Sequence, residues 1–172
     1  IPLFILAAKI MNGSSVTKRI FDFCNVLVGW LPGGLGHANI VASLIFAGMS
    51  GTATSDVAGL GQIEIEAMKE NGYDVEFSAG VTAASSTVGP IFPPSVPMIM
   101  YSTISGVSVG SLFMGGVIPG VLMTILMMLI VYVVAKKRNY PKLPFPTAKE
   151  AFVAFEKALI PCLTPIILLA GI

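Results

Sequence analysis

From Phe77 to Ala135 the chain carries no Asp, Glu, Lys or Arg. That is far more than the ~20 residues an α-helix needs to cross the hydrocarbon core of a membrane. Backbone kept this far from charge must pair its own amides and carbonyls, because hydrocarbon supplies no water to do so. Yet residues 89–97 read GPIFPPSVP, four prolines in nine positions. Each proline removes an amide and clashes with the preceding helical turn. Freed backbone groups are tolerated in a membrane only where they line protein or a wet cavity. The interruption is therefore a candidate functional element; the competing reading is a kink that only shapes packing.

Composition supports the membrane setting. Apolar residues make up 55% of the chain and charged residues 11%, against about a quarter charged in soluble domains. Mean hydropathy is +0.87. The expected class is an all-α integral membrane protein. Ten basic and nine acidic residues give a net charge of +1, with no basic patch for nucleic acid. Cys24 and Cys162 lie in separate apolar segments and read as buried, inert thiols rather than a disulfide or zinc framework. No nucleophile–base pair, phosphate loop or metal-ligand spacing is present, so no enzyme is expected. The chain opens and stops inside hydrophobic runs, the expectation for a piece of something larger.

Residues 1–15 read as the end of a transmembrane helix and a turn at Asn12-Gly13-Ser14-Ser15. Across 16–36, Val16, Ile20, Phe23, Leu27 and Leu31 recur at helical spacing, while Lys18, Arg19 and Asp22 fall on other faces. This is the pattern of an amphipathic helix lying in the membrane interface. Residues 37–63 are apolar but interrupted by SGTATSD. Ala38–Met49 and Val57–Ile63 are each too short to span, so they predict a re-entrant hairpin with a polar tip; a single crossing with a polar kink is the rival. Residues 64–76 read as a cytoplasmic loop, 77–105 as a discontinuous transmembrane helix and 106–135 as an ordinary one. Lys136-Lys137-Arg138 and Lys142 mark the cytoplasmic side. Residues 136–146 form a Pro-rich linker, and 147–172 begin a further helical unit.

Two stretches can carry chemistry. Where the helix stops near Gly89-Pro90, its last carbonyls carry about half a negative charge. These carbonyls, with the oxygens of Ser85, Ser86, Thr87 and Gly89, suit a cation. The helix that restarts after Pro93-Pro94-Ser95 presents amides and a partial positive charge, suited to an anion. In the hairpin, Gly48, Gly51 and Gly59 permit a tight tip, and Ser50, Thr52, Thr54 and Ser55 offer hard oxygens. Asp56 is the sole acidic residue between Asp22 and Glu64. A carboxylate inside a membrane segment costs about 3 kcal/mol and marks a functional candidate. It reads as a sodium ligand, as the N-cap of the second arm, or as a wet surface group; the tip carbonyls are the stronger candidates. His37, after LPGGLG, reads as a solvated interfacial imidazole rather than a proton relay.

The runs NIVASLIFAGMSGTATSDVAGLG, GVTAASSTVGPIFPPSVPMIMYS and SVGSLFMGGVIPG closely resemble the large membrane subunit of tripartite ATP-independent periplasmic (TRAP) transporters. The resemblance runs essentially end to end. It implies an elevator-type secondary transporter in the bacterial inner membrane, of which this chain holds most of the first inverted repeat and the start of the second. It also implies a small membrane subunit as scaffold, a periplasmic substrate-binding protein, and sodium-coupled uptake of a carboxylate such as a C4-dicarboxylate or sialic acid. Sodium is the coupling ion, with no other cofactor. By analogy, sodium sits between the tip (Ser50, Gly51, Thr52, Thr54, with Asp56 nearby) and the break (Ser85, Ser86, Thr87, Gly89, Pro90). Pro93, Pro94 and Ser95 then point toward the substrate carboxylate. Two alternatives remain: a sodium–carboxylate carrier without a periplasmic partner, and a non-transporting structural subunit.

Overall fold

The computed structural model describes residues 16–170, apart from the side chains of 148, 160–162, 164–166 and 168–170. The expectations for residues 1–15 and for Cys162 lie outside the described residues. The regular elements of the described residues are all helices, with no strand: α1 (Val16–Val28), α2 (Gly34–Ser50), α3 (Ala53–Asp56), a π-helical turn (Val57–Gly61) and α4 (Gln62–Glu70). Then follow α5 (Val75–Ser86), α6 (Val96–Ser105), α7 (Val109–Arg138) and α8 (Ala148–Ala170).

Amphipathic spacing accounts for α1. Thr17, Ile20, Phe21 and Cys24 are buried on one face, while Lys18, Arg19 and Asp22 are exposed. The helix is shorter than the expected 16–36. Its turn begins at Gly29, and Gly33 adopts a left-handed φ of 74° just before α2. Residues 34–36 therefore belong to the next helix, because a glycine free of Cβ strain can start a new helix at once.

α2 is buried along most of its length and packs against α1, α5 and α7. At Gly51-Thr52 the chain bends by 120° into the segment Ala53–Glu70. The hairpin is thus longer than the expected 37–63, with arms reaching back to Gly34 and on to Glu70. The expected 64–76 loop is corrected accordingly: α4 occupies most of it, and Glu64 and Met68 are fully buried. Leu60, Glu64 and Met68 stand four residues apart and all face inward. The charges of Glu66, Lys69 and Glu70 hide this face from a reading that counts charge alone.

Among the described residues α7 is the one helix long and apolar enough to cross a membrane unbent, with mean hydropathy 2.6. It extends beyond the expected 135. Lys136, Lys137 and Arg138 form its last turn, where cations meet the negative helix end, so the linker starts at Asn139. Ile118, Leu122, Ile125, Leu129 and Val133 are exposed along it. Between helices in lipid there is little hydrophobic driving force, so close packing and interhelical hydrogen bonds must hold the fold. Close packing is visible at Gly116, which faces the Ile91 carbonyl. A methyl group at Gly120 would come within 2.9 Å of the Phe92 ring.

At the end of the fold that carries Lys136, Lys137 and Arg138, Tyr73, Phe77 and Tyr140 stack, with Tyr73 and Tyr140 centroids 4.5 Å apart. The Tyr73 hydroxyl donates to the Pro141 carbonyl, and burial pushes that hydroxyl up to about 12. Asp74 accepts from both Tyr140 and Arg138. The linker then lies back on α1: the Leu143 amide donates to the Gly29 carbonyl at 2.9 Å, and Trp30 meets Phe145.

Candidate functional site

The polar tip and the proline break meet. α2 ends at Gly51, whose φ of 61° is left-handed and whose amide donates to the Ala47 carbonyl. Thr52 then caps the second arm by accepting from the Ser55 amide. In the other segment α5 unwinds after Ser86 through short-range bonds, with Val88 donating to Ser85 and Gly89 to Ser86. Its chain returns through Pro93-Pro94 and restarts at Ser95. The Val96 amide donates to the Gly51 carbonyl at 3.2 Å, so one backbone bond joins tip to break. Approach is tight from both sides. A methyl group at Gly51 would lie 2.5 Å from the Pro94 carbonyl oxygen, and one at Gly89 would lie 3.1 Å from the Thr52 carbonyl carbon.

Behind this seam the arms are cross-linked by polar side chains. Asn39 of α2 donates to the Thr82 hydroxyl of α5 at 2.7 Å, and Ser85 donates back to the Asn39 carbonyl oxygen at 2.8 Å. Ser43 and Ser85 hydroxyls stand 3.0 Å apart, and Ser43 is also the hydrogen-bond partner of Asp56. All five residues are buried. The sequence reading singled out Ser85 and Asp56 but missed Asn39, Ser43 and Thr82. The available signal was spacing: 39 and 43 are one turn apart on α2, and 82 and 85 one turn apart on α5.

The candidate residues divide by place. Ser50, Gly51, Thr52, Gly89, Pro94 and Ser95 lie at the seam, and Ser85 lies in the network behind it. Ser86 is buried but donates to the Ala83 carbonyl of its own helix. Thr54 and Thr87 are exposed, and Thr87 also bonds its own helix, at Ala84. The Pro90 carbonyl is occupied by the Ser95 hydroxyl at 2.6 Å, and Pro93 is buried. Asp56 stands at the start of the second arm but its side chain makes no capping bond, and at 2% exposed it is not a wet surface group. His37 is corrected too: the ring is 2% exposed rather than solvated.

The restart of α6 differs from expectation in one chemical respect. Its first-turn amides are already occupied: Val96 by Gly51, Met98 by the Ser95 hydroxyl, while Pro97 has none. The partial positive charge of the helix end remains, while the Val96 and Met98 amides are held within the protein.

On the cation side the opposite holds. The Ser50 hydroxyl, at the tip, and one oxygen of Asp56 are buried with no hydrogen-bond partner. A buried polar atom left unpaired costs about 1–3 kcal/mol. Ser50 lies beside the C-terminal carbonyls of α2, and α5 ends across the seam. Such an all-oxygen donor set fits a hard cation such as sodium. No group of three or more His, Cys, Asp or Glu able to hold a transition metal occurs among the described residues.

Comparison with known proteins shows the family. Residues 1–172 match the family model of the tripartite ATP-independent periplasmic transporter, DctM component. The chain belongs to that family. It is 46% identical to the sialic acid TRAP transporter large permease protein SiaM of Vibrio cholerae, over the whole chain and 40% of that protein. It is 43% identical to the C4-dicarboxylate TRAP transporter large permease protein DctM of the same organism, over the whole chain and 38% of the relative. Identity to the 2,3-diketo-L-gulonate TRAP transporter large permease protein YiaN of Escherichia coli is 36%, over 99% of the chain and 40% of that relative. The chain thus spans less than half the length of these TRAP permeases. All are named as transport proteins, which points away from an enzyme.

Proposed function

We propose that this chain is part of the permease subunit of a sodium-coupled, binding-protein-dependent importer of small carboxylates in the bacterial inner membrane. A sialic acid or a C4-dicarboxylate is the substrate class suggested by the relatives' names. Its partners would be a small membrane subunit and a periplasmic substrate-binding protein, and sodium would be the coupling ion. The observation that carries the reading is the seam, where a hairpin tip with an unpaired buried hydroxyl sits in a proline break. Ser50 and the backbone carbonyls around Gly51 and Gly89 would hold sodium. Asp56, turned to Ser43, would supply negative charge from behind.

Sodium supplies positive charge that makes a neighbouring anion favourable and orders the tip. The Gly51 carbonyl is the link, because it faces the cation and holds the Val96 amide at the start of α6. A tip ordered by sodium fixes the positive end of α6 toward the carboxylate. The coupling is reciprocal: substrate must tighten sodium by the factor by which sodium tightens substrate. The loaded block would then move as one body between the two sides, as in other broken-helix carriers.

The test uses the full-length permease with its small subunit and binding protein in proteoliposomes. Ser50→Ala removes one ligand worth about 1.5–3 kcal/mol. The sodium concentration for half-maximal uptake should rise at least about tenfold, with the protein still inserted. Unchanged sodium dependence would exclude the seam as the coupling site.

A further inference from the structure

Glu64 is used by nothing described so far. It is fully buried, both carboxyl oxygens are shielded from solvent, and neither has a hydrogen-bond partner. Its neighbours one turn away on the same face, Leu60 and Met68, are also fully buried and apolar. Few charged groups are near. α4 packs against α2, α5 and the π-helical turn. Of their titratable residues, Glu76 on α5 is exposed, while His37 on α2 is buried and forms no ion pair with Glu64. Glu66, Lys69 and Glu70 on α4 itself are exposed. The single ion pair among the described residues is Arg138–Asp74, on other elements. Asp56, just before the π-helical turn, is the one charge that acts on Glu64, and its sign is the same.

The backbone explains how two acids eight positions apart come to act on one another. An undistorted α-helix advances about 100° per residue, which leaves such positions about 80° out of line. The wider π-helical turn at Val57–Gly61 winds less per residue and takes up most of that difference. A lone carboxylate in an apolar interior costs several kcal/mol, and the repulsion from Asp56 adds to it. A hard cation would need several oxygens, and no group of three or more His, Cys, Asp or Glu able to hold one occurs among the described residues. A proton removes the charge with one covalent bond.

We propose that Glu64 is a proton-binding site, a neutral carboxylic acid at neutral pH whose proton stays with the packed hairpin. Such a proton removes the need for a counter-ion inside the second arm.

The experiment is infrared difference spectroscopy on the full-length permease in nanodiscs, following the C=O stretch of protonated carboxyl groups and its shift in deuterium oxide. The wild type should show this band at neutral pH with or without sodium. Asp56→Asn should keep it, and Glu64→Gln should lose it. Absence of the band in the wild type overturns the proposal. So does a band that appears only on removing sodium, since sodium then holds the site, and so does a band lost in Asp56→Asn but kept in Glu64→Gln.

A second readout is independent of whether Glu64→Gln folds. A carboxyl protonated when folded and ionised when unfolded makes the native state bind more protons, so stability falls as pH rises. The wild-type melting temperature should drop from the ordinary glutamate range up to the pH at which the band fades. A flat profile across that interval overturns the proposal.

Discussion

The tip at Gly51-Thr52 and the break at residues 87–95 both interrupt a helix inside an apolar segment, yet they are built on opposite principles. The break satisfies itself: successive short-range bonds from Thr87 to Phe92 and the double use of the Ser95 hydroxyl leave few of its groups unpaired. The tip spans two residues and depends on one glycine in a left-handed conformation. It also leaves Ser50 without a partner. A rigid, internally bonded wall thus faces a minimal and under-satisfied one. In the proposed ion site, the element with unmet hydrogen-bonding capacity is the one that can respond.

The sharpest way to break the contrast is at Gly51. Gly51→Val adds a left-handed strain of about 1–2 kcal/mol and a side chain against the Pro94 carbonyl. Uptake should be abolished, and the sodium-induced rise in melting temperature should vanish with it. If both survived, the tip would not depend on this close approach. A smaller effect is expected in the network behind the seam. Asn39→Ala strands the Thr82 hydroxyl and should lower stability by about 1–3 kcal/mol, read by thermal melting, while sodium dependence stays near that of the wild type. A large shift in sodium affinity would mean that the network and the seam are one site.

The smallest effect belongs to the surface clamp. The Tyr140 hydroxyl and then Arg138 hold the Asp74 carboxyl below its ordinary value of 3.8. A depressed carboxyl contributes stability above that ordinary value, lost as pH falls through the lower native one. Asp74→Asn should therefore leave the melting temperature almost unchanged near neutrality and flatten its decline in acid. A marked loss at neutral pH would show the clamp to be stronger than an exposed pair should be.

Much of the seam was legible because prolines and glycines act locally. GPIFPPSVP stops a helix whatever surrounds it, and Gly51 offers a turn to any fold. The Ser95 cap could be read from the chain for the same reason. What could not be read depended on partners distant in sequence. Glu64 looks like part of a wet loop until Leu60 and Met68 are seen to share its buried face. Asn39 becomes informative only when α5 lies beside it. His37 follows a turn that suggests an exposed start, but α2 is packed on several sides from its first residues. That the Val96 amide is taken up by the tip could not be read either, because nothing in the sequence announces that the Gly51 carbonyl reaches it.

The notch on α7 has a consequence for how the broken chain survives in oil. With no side chain at Gly116, the Ile91 carbonyl rests directly on helix backbone. There the Cα hydrogens of glycine offer weak donors of about 0.5–1 kcal/mol to an oxygen that hydrocarbon cannot solvate. Glycine's second hydrogen thereby substitutes for a water molecule, and any larger residue at position 116 would remove the substitute along with the space.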